Sequence, residues 1–222
     1  MKPPIILVTG FEPYGGRGIN PAAQVAEQLD GSSIAGARVQ GHVLPVAFRD
    51  LRERLGNLIR TVGPAAVVCL GLWPGEPMIR LEQVGVNLAE FETPDNDGLL
   101  LTGAPVHASG APAHFATLPL RAIRRRLLEA GIPARLSSTA GTFLCNATLF
   151  TALEALKEAN PSAKGGFVHL PYLPAQVALL AAETEEDHKL ELAQRADLAS
   201  MALVTMVEAV RIVIDTTVSG GG

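Results

Sequence analysis

At 222 residues the chain suits one domain with a single large core, and at 48% hydrophobic but only 5% aromatic that core must be built from Ala, Val, Leu and Ile. A net charge of -4 offers no basic surface for nucleic acid, and no apolar run approaches the length of a bilayer span. Met1-Lys2-Pro3-Pro4 leads straight into an apolar run rather than a signal peptide, so a cytoplasmic location is expected, and two cysteines make no disulfide framework.

Residues 5–8 are apolar and rich in β-branched side chains, the mark of a strand buried on both faces. A glycine-rich loop carrying Phe11 and Tyr14 follows, and Asn20-Pro21 starts a helix that runs to about Leu29. A strand over 39–46 and a helix over 51–62 come next. Residues 65–70 form a third buried strand, with Cys69 inside it as a core residue, ending in the turn Gly71-Leu72-Trp73-Pro74-Gly75. Residues 79–87 read as another strand. From 88 to 118 the periodicity fails, and Thr93-Pro94-Asp95-Asn96-Asp97-Gly98 is turn chemistry, so this segment reads as a functional loop or lid.

Helix 120–130, whose Arg121 to Arg126 cluster marks a solvated face, and a strand over 134–138 lead to Thr139-Ala140-Gly141-Thr142-Phe143-Leu144-Cys145-Asn146. A helix begins near Cys145. Gly165-Gly166 breaks the chain, and Phe167-Val168-His169-Leu170 is a strand stopped by Pro171. Residues 184–187 read as an acidic helix start, residues 190–214 as a long helix, and 219–222 as a disordered tail. Strands alternating with helices predict an α/β fold: a single-domain α/β/α sandwich over 1–218 with a twisted, mostly parallel but mixed central sheet. Ligands gather beyond the carboxyl ends of such strands, and the Phe11 loop, the Leu72 loop, Cys145 and His169 all sit at strand ends.

Thr142 and Asn146 are helix-capping types, which puts Cys145 in a first helical turn. There the helix dipole and unpaired N–H groups favour a thiolate, lowering the thiol pKa, and could hold an oxyanion. A small buried hydrophobe is the competing reading of Cys145. A cysteine nucleophile needs a base, itself oriented by an acid. His188 lies in an acidic, solvated stretch, His42 in a strand, and His107 and His114 in the irregular segment. His169, ending a buried strand 24 residues after Cys145 (169 − 145), is the best placed, against the alternative of a core histidine bonded to a carbonyl. Glu82 interrupts an apolar stretch; it either faces solvent or is buried with a partner. No His/Cys/Asp cluster has metal-ligand spacing, and the first loop lacks both glycine-rich phosphate fingerprints.

The blocks Val8-Thr9-Gly10-Phe11-Glu12-Pro13-Tyr14-Gly15, Pro94-Asp95-Asn96, Thr139-Ala140-Gly141-Thr142-Phe143-Leu144-Cys145-Asn146 and Gly165-Gly166-Phe167-Val168-His169-Leu170-Pro171-Tyr172 resemble pyroglutamyl peptidase type I, in that family's order. The resemblance implies a cytoplasmic, cofactor-free cysteine peptidase, commonly a homotetramer, that removes an amino-terminal pyroglutamyl residue from peptides. It also implies Cys145 as nucleophile, His169 as general base and acid, and Glu82 as the residue orienting the histidine. Phe11, Tyr14, Thr93, Phe143 and Leu144 are implied as substrate-binding.

Three family arginines are replaced here by Glu76, Gln83 and Glu92, which is expected to reverse the local field near the Glu82 loop. Two alternatives follow: a catalytically impaired relative that binds pyroglutamyl peptides without turnover, and an α/β enzyme acting on a nucleoside or phosphate through the first loop.

Overall fold

The structure, a computed structural model, describes residues 2–187 and 198–220. In chain order its strands are β1 (Ile5–Phe11), β2 (Ser33–Ile34), β3 (Ala37–Leu44), β4 (Ala66–Leu72), β5 (Ile79–Glu82), β6 (Val84–Val86), β7 (Ala113–Phe115), β8 (Ala134–Ser137) and β9 (Lys164–Leu170). The helices are α1 (Pro21–Leu29), α2 (Leu51–Val62), α3 (Leu120–Glu129), α4 (Leu144–Ala159), α5 (Pro174–Asp187) and α6 (Leu203–Val218). Seven strands form one sheet in the order β2-β3-β1-β4-β9-β5-β8, and β6 pairs with β7 in a separate ribbon.

The sheet is mixed, as expected. β3, β1, β4 and β9 are parallel, whereas β5 pairs antiparallel with β9 and parallel with β8. Residues 73–78 are too few for the helical crossover that a parallel return requires, so β5 comes back in the opposite direction.

Period-two alternation then sorts the side chains. Ile6, Val8, Val68, Leu70, Ile79, Leu81, Val168 and Leu170 pack with α1, α3 and α6, while Leu7, Val67, Cys69 and Phe167 pack with α2 and α4. The residues between them, Gly71, Arg80, Glu82 and His169, therefore share the face that α4 covers.

Several local expectations hold for identifiable reasons. Asn20 caps α1, its Oδ1 accepting from the Ala22 N–H at 3.0 Å, with Pro21 in the first turn. α2 stops where Gly63 adopts the left-handed conformation (φ 58, ψ 50).

Others need correction. The 79–87 strand is two strands in different sheets, because after Glu82 the chain leaves β9 to pair Val84 with Phe115. Gly165-Gly166 is not a break but part of β9: a Cβ on Gly166 would stand 2.5 Å from Leu118 Cδ1, and one on Gly165 2.7 Å from Leu156 Cδ1. The pair is glycine because neighbouring side chains occupy the space. Residues 184–187 end α5, which starts at Pro174, instead of opening a helix. The last helix spans Leu203–Val218, and the part of the expected long helix over 190–197, with His188, lies outside the described residues. So do 221–222 of the expected tail. Among the described residues no helix is long and apolar enough to cross a membrane.

The contact at Gly166 sets a stability test. Gly166→Ala forces a methyl group against Leu118 in a packed core, and a loss of about 1–3 kcal/mol is expected. Chemical or thermal unfolding of the variant beside the parent measures it; unchanged stability would show that Leu118 yields freely.

Candidate active site

Glu82 is the last residue of β5 and has no accessible surface. On the adjacent strand β9, His169 is 1% exposed, and its Nδ1 lies 2.8 Å from Glu82 Oε1. The buried, partnered reading of Glu82 is the one observed, and His169 bonds to a carboxylate rather than a carbonyl. With Nδ1 engaged, Nε2 remains for proton chemistry. The imidazole is walled by Trp73 and Phe167, with ring centroids at 5.0 Å and 4.7 Å. Burial depresses the His169 pKa below its ordinary 6.5, against the opposing pull of Glu82, so the ring rests neutral near pH 7.

Cys145 is the second residue of α4 and is half-buried. β8 runs against β9, so the chain leaving Ser137 must be carried back by residues 138–143. The thiol ends above Gly71: a Cβ there would stand 2.8 Å from Cys145 Sγ, and Gly71 is the register partner of His169. Glycine at this point makes room for the sulfur. The expected lowering of the thiol pKa is not what the surroundings produce. Burial, with Glu82 and Cys69 nearby, pushes the Cys145 thiol up to about 12, and the backbone hydrogen bond at the helix start only partly opposes this. The resting pair is thus a neutral thiol and a neutral imidazole.

The expected caps do other work. Phe143 occupies the cap position of α4 without a side-chain bond. Thr142 Oγ1 donates to the Glu90 carbonyl at 2.7 Å. Asn146 accepts from the Val86 N–H and donates to the Val86 and Leu88 carbonyls, each at 2.9 Å. Both side chains fasten the start of the 88–118 segment to the helix carrying Cys145. Further along, Asn96 donates to Glu12 Oε1 at 2.8 Å and to the Pro13 carbonyl at 3.0 Å, joining that segment to the first loop.

A small cavity at Cys145 is lined by Phe11, Tyr14, Asn20, Val46, Leu72, Phe143 and Leu144. Four of the five residues implied for substrate binding are therefore together. Thr93 is not among the lining residues and is exposed. Burial raises the Tyr14 phenol pKa, leaving its O–H as a donor. Phe91, missed in the sequence because it stands in the aperiodic segment, packs edge-on against Phe143 at 4.7 Å and Phe48 at 5.6 Å, backing the cavity wall.

Arg80 was also missed. It is 4% exposed, and its guanidinium reaches Glu82, Glu76, Ser137 and the Thr139 carbonyl. Alternation of Arg80 and Glu82 about Leu81 was the available signal. Glu76 is held by Arg80 and by two hydrogen bonds from Arg135 (3.1 and 2.6 Å). Burial alone would raise its pKa, but these two arginines hold the carboxyl below the ordinary range. The expected field reversal at Glu76 is therefore compensated locally. Gln83 donates to the Ser137 carbonyl at 3.3 Å, and Glu92 is exposed. The remaining described histidines lie elsewhere: His107 bonds Glu154 of α4 at 2.9 Å, His114 packs on Phe150, and His42 is in β3.

A family model described as pyroglutamyl peptidase matches residues 4–219. Pyrrolidone-carboxylate peptidase 2 of Photorhabdus laumondii is 39% identical over 210 residues, covering 95% of this chain and 89% of the relative. The pyrrolidone-carboxylate peptidase of Escherichia fergusonii is 38% identical over 217 residues, 97% of each chain. Among solved structures, pyrrolidone carboxyl peptidase from the hyperthermophile Pyrococcus furiosus superimposes with a TM-score of 0.88 at 33% identity, covering 98% of this chain and 100% of that one. With a family model spanning nearly its whole length and relatives similar end to end, the chain belongs to the pyroglutamyl peptidase family.

Proposed function

We propose that this protein is a cysteine omega-peptidase that removes the amino-terminal pyroglutamyl residue from peptides, with Cys145 as nucleophile, His169 as general base and acid, and Glu82 orienting the imidazole. The observation that carries the reading is the fully buried His169–Glu82 pair at 2.8 Å, beside a thiol lodged over Gly71. The pyroglutamyl ring is an uncharged lactam, which suits walls of Phe11, Val46, Leu72, Phe143 and Leu144 with the polar side chains of Tyr14 and Asn20 beside Cys145.

The thiol proton passes to His169 Nε2 as Sγ attacks the pyroglutamyl carbonyl carbon. First-turn N–H groups of α4 stabilise the oxyanion. The oxyanion collapses, the C–N bond breaks, and the imidazolium delivers its proton to the departing amine, leaving a thioester on Cys145. Water attacks that thioester with His169 again as base, releasing pyroglutamate and restoring the thiol. Because sulfur and imidazole start neutral, charge separates only during attack, when Glu82 stabilises the imidazolium. The reading extends to a cytoplasmic homo-oligomer, the tetramer that the family resemblance implies, acting without nucleic acid or cofactor.

Hydrolysis of a chromogenic pyroglutamyl amide under reducing conditions tests the assignment. The parent is expected to turn over and Cys145→Ala to be inert, while Glu82→Gln keeps the fold and loses roughly 100- to 10,000-fold in kcat. A folded parent with no turnover would overturn the assignment and favour the impaired-relative alternative.

The pH profile tests the resting state. His169 must be neutral to act, and its folded pKa lies below 6.5, so kcat/KM should reach half its plateau below pH 6.5 and stay flat through neutrality. The same depression means the unfolded chain binds this proton more readily, so the contribution of His169 to stability is intact above about pH 6.5 and is lost as pH falls. Ultraviolet thiolate absorbance assigned by Cys145→Ser should be absent at pH 7; its presence would replace the neutral pair with an ion pair.

A further inference from the structure

Arg80 stands opposite His169 in the β5–β9 register and opposite Arg135 in the β5–β8 register, in the middle of the buried face. Its donors are divided among groups far apart in sequence. Nε bonds Glu82 Oε1 at 3.0 Å, the oxygen that also receives His169 Nδ1. Nη2 bonds Ser137 Oγ and the Thr139 carbonyl, both at 2.7 Å, and Nη1 reaches Glu76 Oε2 at 3.4 Å. The guanidinium also stacks over Trp73 at 3.6 Å, the ring that packs edge-on against His169. Thr139 belongs to the loop that delivers Cys145.

We propose that Arg80 is a positioning residue for the reaction: one planar guanidinium joins the Glu82–His169 pair to the loop carrying the nucleophile and fixes the two halves of the site relative to each other. This rests on the peptidase reading above. The rigid fork of arginine can serve Glu82 and Thr139 together, whereas the point charge of lysine can serve one at a time. Glu76, clamped from the far side by Arg135, holds the fork in place.

Arg80 also acts on proton chemistry. The charged or titratable groups around His169 are Glu82 and Arg80 of β5, Glu76 of the preceding turn, and the Cys145 thiol of α4. Arg80 opposes the carboxylates' pull on the imidazole proton and so helps keep the ring neutral at rest.

The test uses the full chain, the chromogenic amide and three variants: Arg80→Lys, Arg80→Met, and Glu76→Gln/Arg80→Met, which removes one charge of each sign so that the buried face stays balanced. All three are expected to lose on the order of 10- to 100-fold in kcat with KM nearly unchanged, since misplacement of the reacting groups, not substrate binding, is affected. Arg80→Met should also move the acid limb of kcat/KM to higher pH, because His169 protonates more readily without the opposing charge, and the double variant should move it less, because Glu76, which pulls the other way, is lost as well. Arg80→Lys, which keeps the charge and loses the fork, should leave that limb in place. Any of the three, folded by circular dichroism and retaining the parent kcat, overturns the inference. Persistence of activity in Cys145→Ala would instead remove the functional reading beneath it.

Discussion

A carboxylate carried out of water loses hydration worth several kcal/mol, and only well-aligned donors recover it. Glu82 has no accessible surface, and two donors, Arg80 Nε and His169 Nδ1, converge on its Oε1. Burying Arg80 creates the same demand with the opposite sign, met by Glu76, Ser137, Thr139 and the face of Trp73. Glu76 in turn is met by Arg135, whose side chain is partly exposed and carries the network to the surface. Each buried charge thus specifies the next. The chain of demands crosses β9, β5, β8 and the loop before α4, so the active-site geometry rests on the pairing of buried charges as well as on apolar packing.

The direction of β5 makes this network reachable. Antiparallel pairing sets Arg80 opposite His169 and Glu82 opposite Phe167, and the parallel β5–β8 pairing sets Ser137 beside Glu82. Period two then puts the polar residues on one face while Ile79 and Leu81 close the opposite core. A one-residue slip would bury the charges among α3 and α6 and expose Leu81 to the site, so register is fixed twice over, by core and by charge.

The parts of this arrangement that were legible in the sequence are those carried by local patterns. Buried β-branched runs gave β1 and β4, the Asn20-Pro21 cap gave α1, and the blocks around Cys145 and His169 gave the family. What stayed hidden depends on partners distant in the chain. Arg80 is an unremarked strand residue until Ser137 and Thr139, 57 and 59 positions away, are beside it. Thr142 and Asn146 have the composition of helix caps, but long-range acceptors at Glu90, Val86 and Leu88 claim their side chains. Gly165-Gly166 has the composition of a turn and the position of a strand, because only Leu118 and Leu156 show why a side chain is excluded. A local signal names a residue's capacity; tertiary competition decides its use.

The same competition explains the aperiodic 88–118 segment. Its own backbone pairing is short, Ala89 with Ala104 and Phe91 with Leu101 beside the β6–β7 ribbon, and backbone bonds also run from the Glu90 N–H to the Thr142 carbonyl and from the Asn96 N–H to the Val46 carbonyl. Side chains add to this: Asn146 and Thr142 reach its start, Glu12 accepts from Asn96, and Asp95 of the segment accepts from the Phe48 N–H at 2.9 Å. Phe91 is thereby pressed against Phe143, the residue preceding α4. In the proposed reaction a neutral thiol–imidazole pair would gain from such a neighbour, because charge separation is stabilised most by fixed donors where water is scarce. A segment fastened at so many separate points has no use for periodicity, since every few residues it answers to a different neighbour.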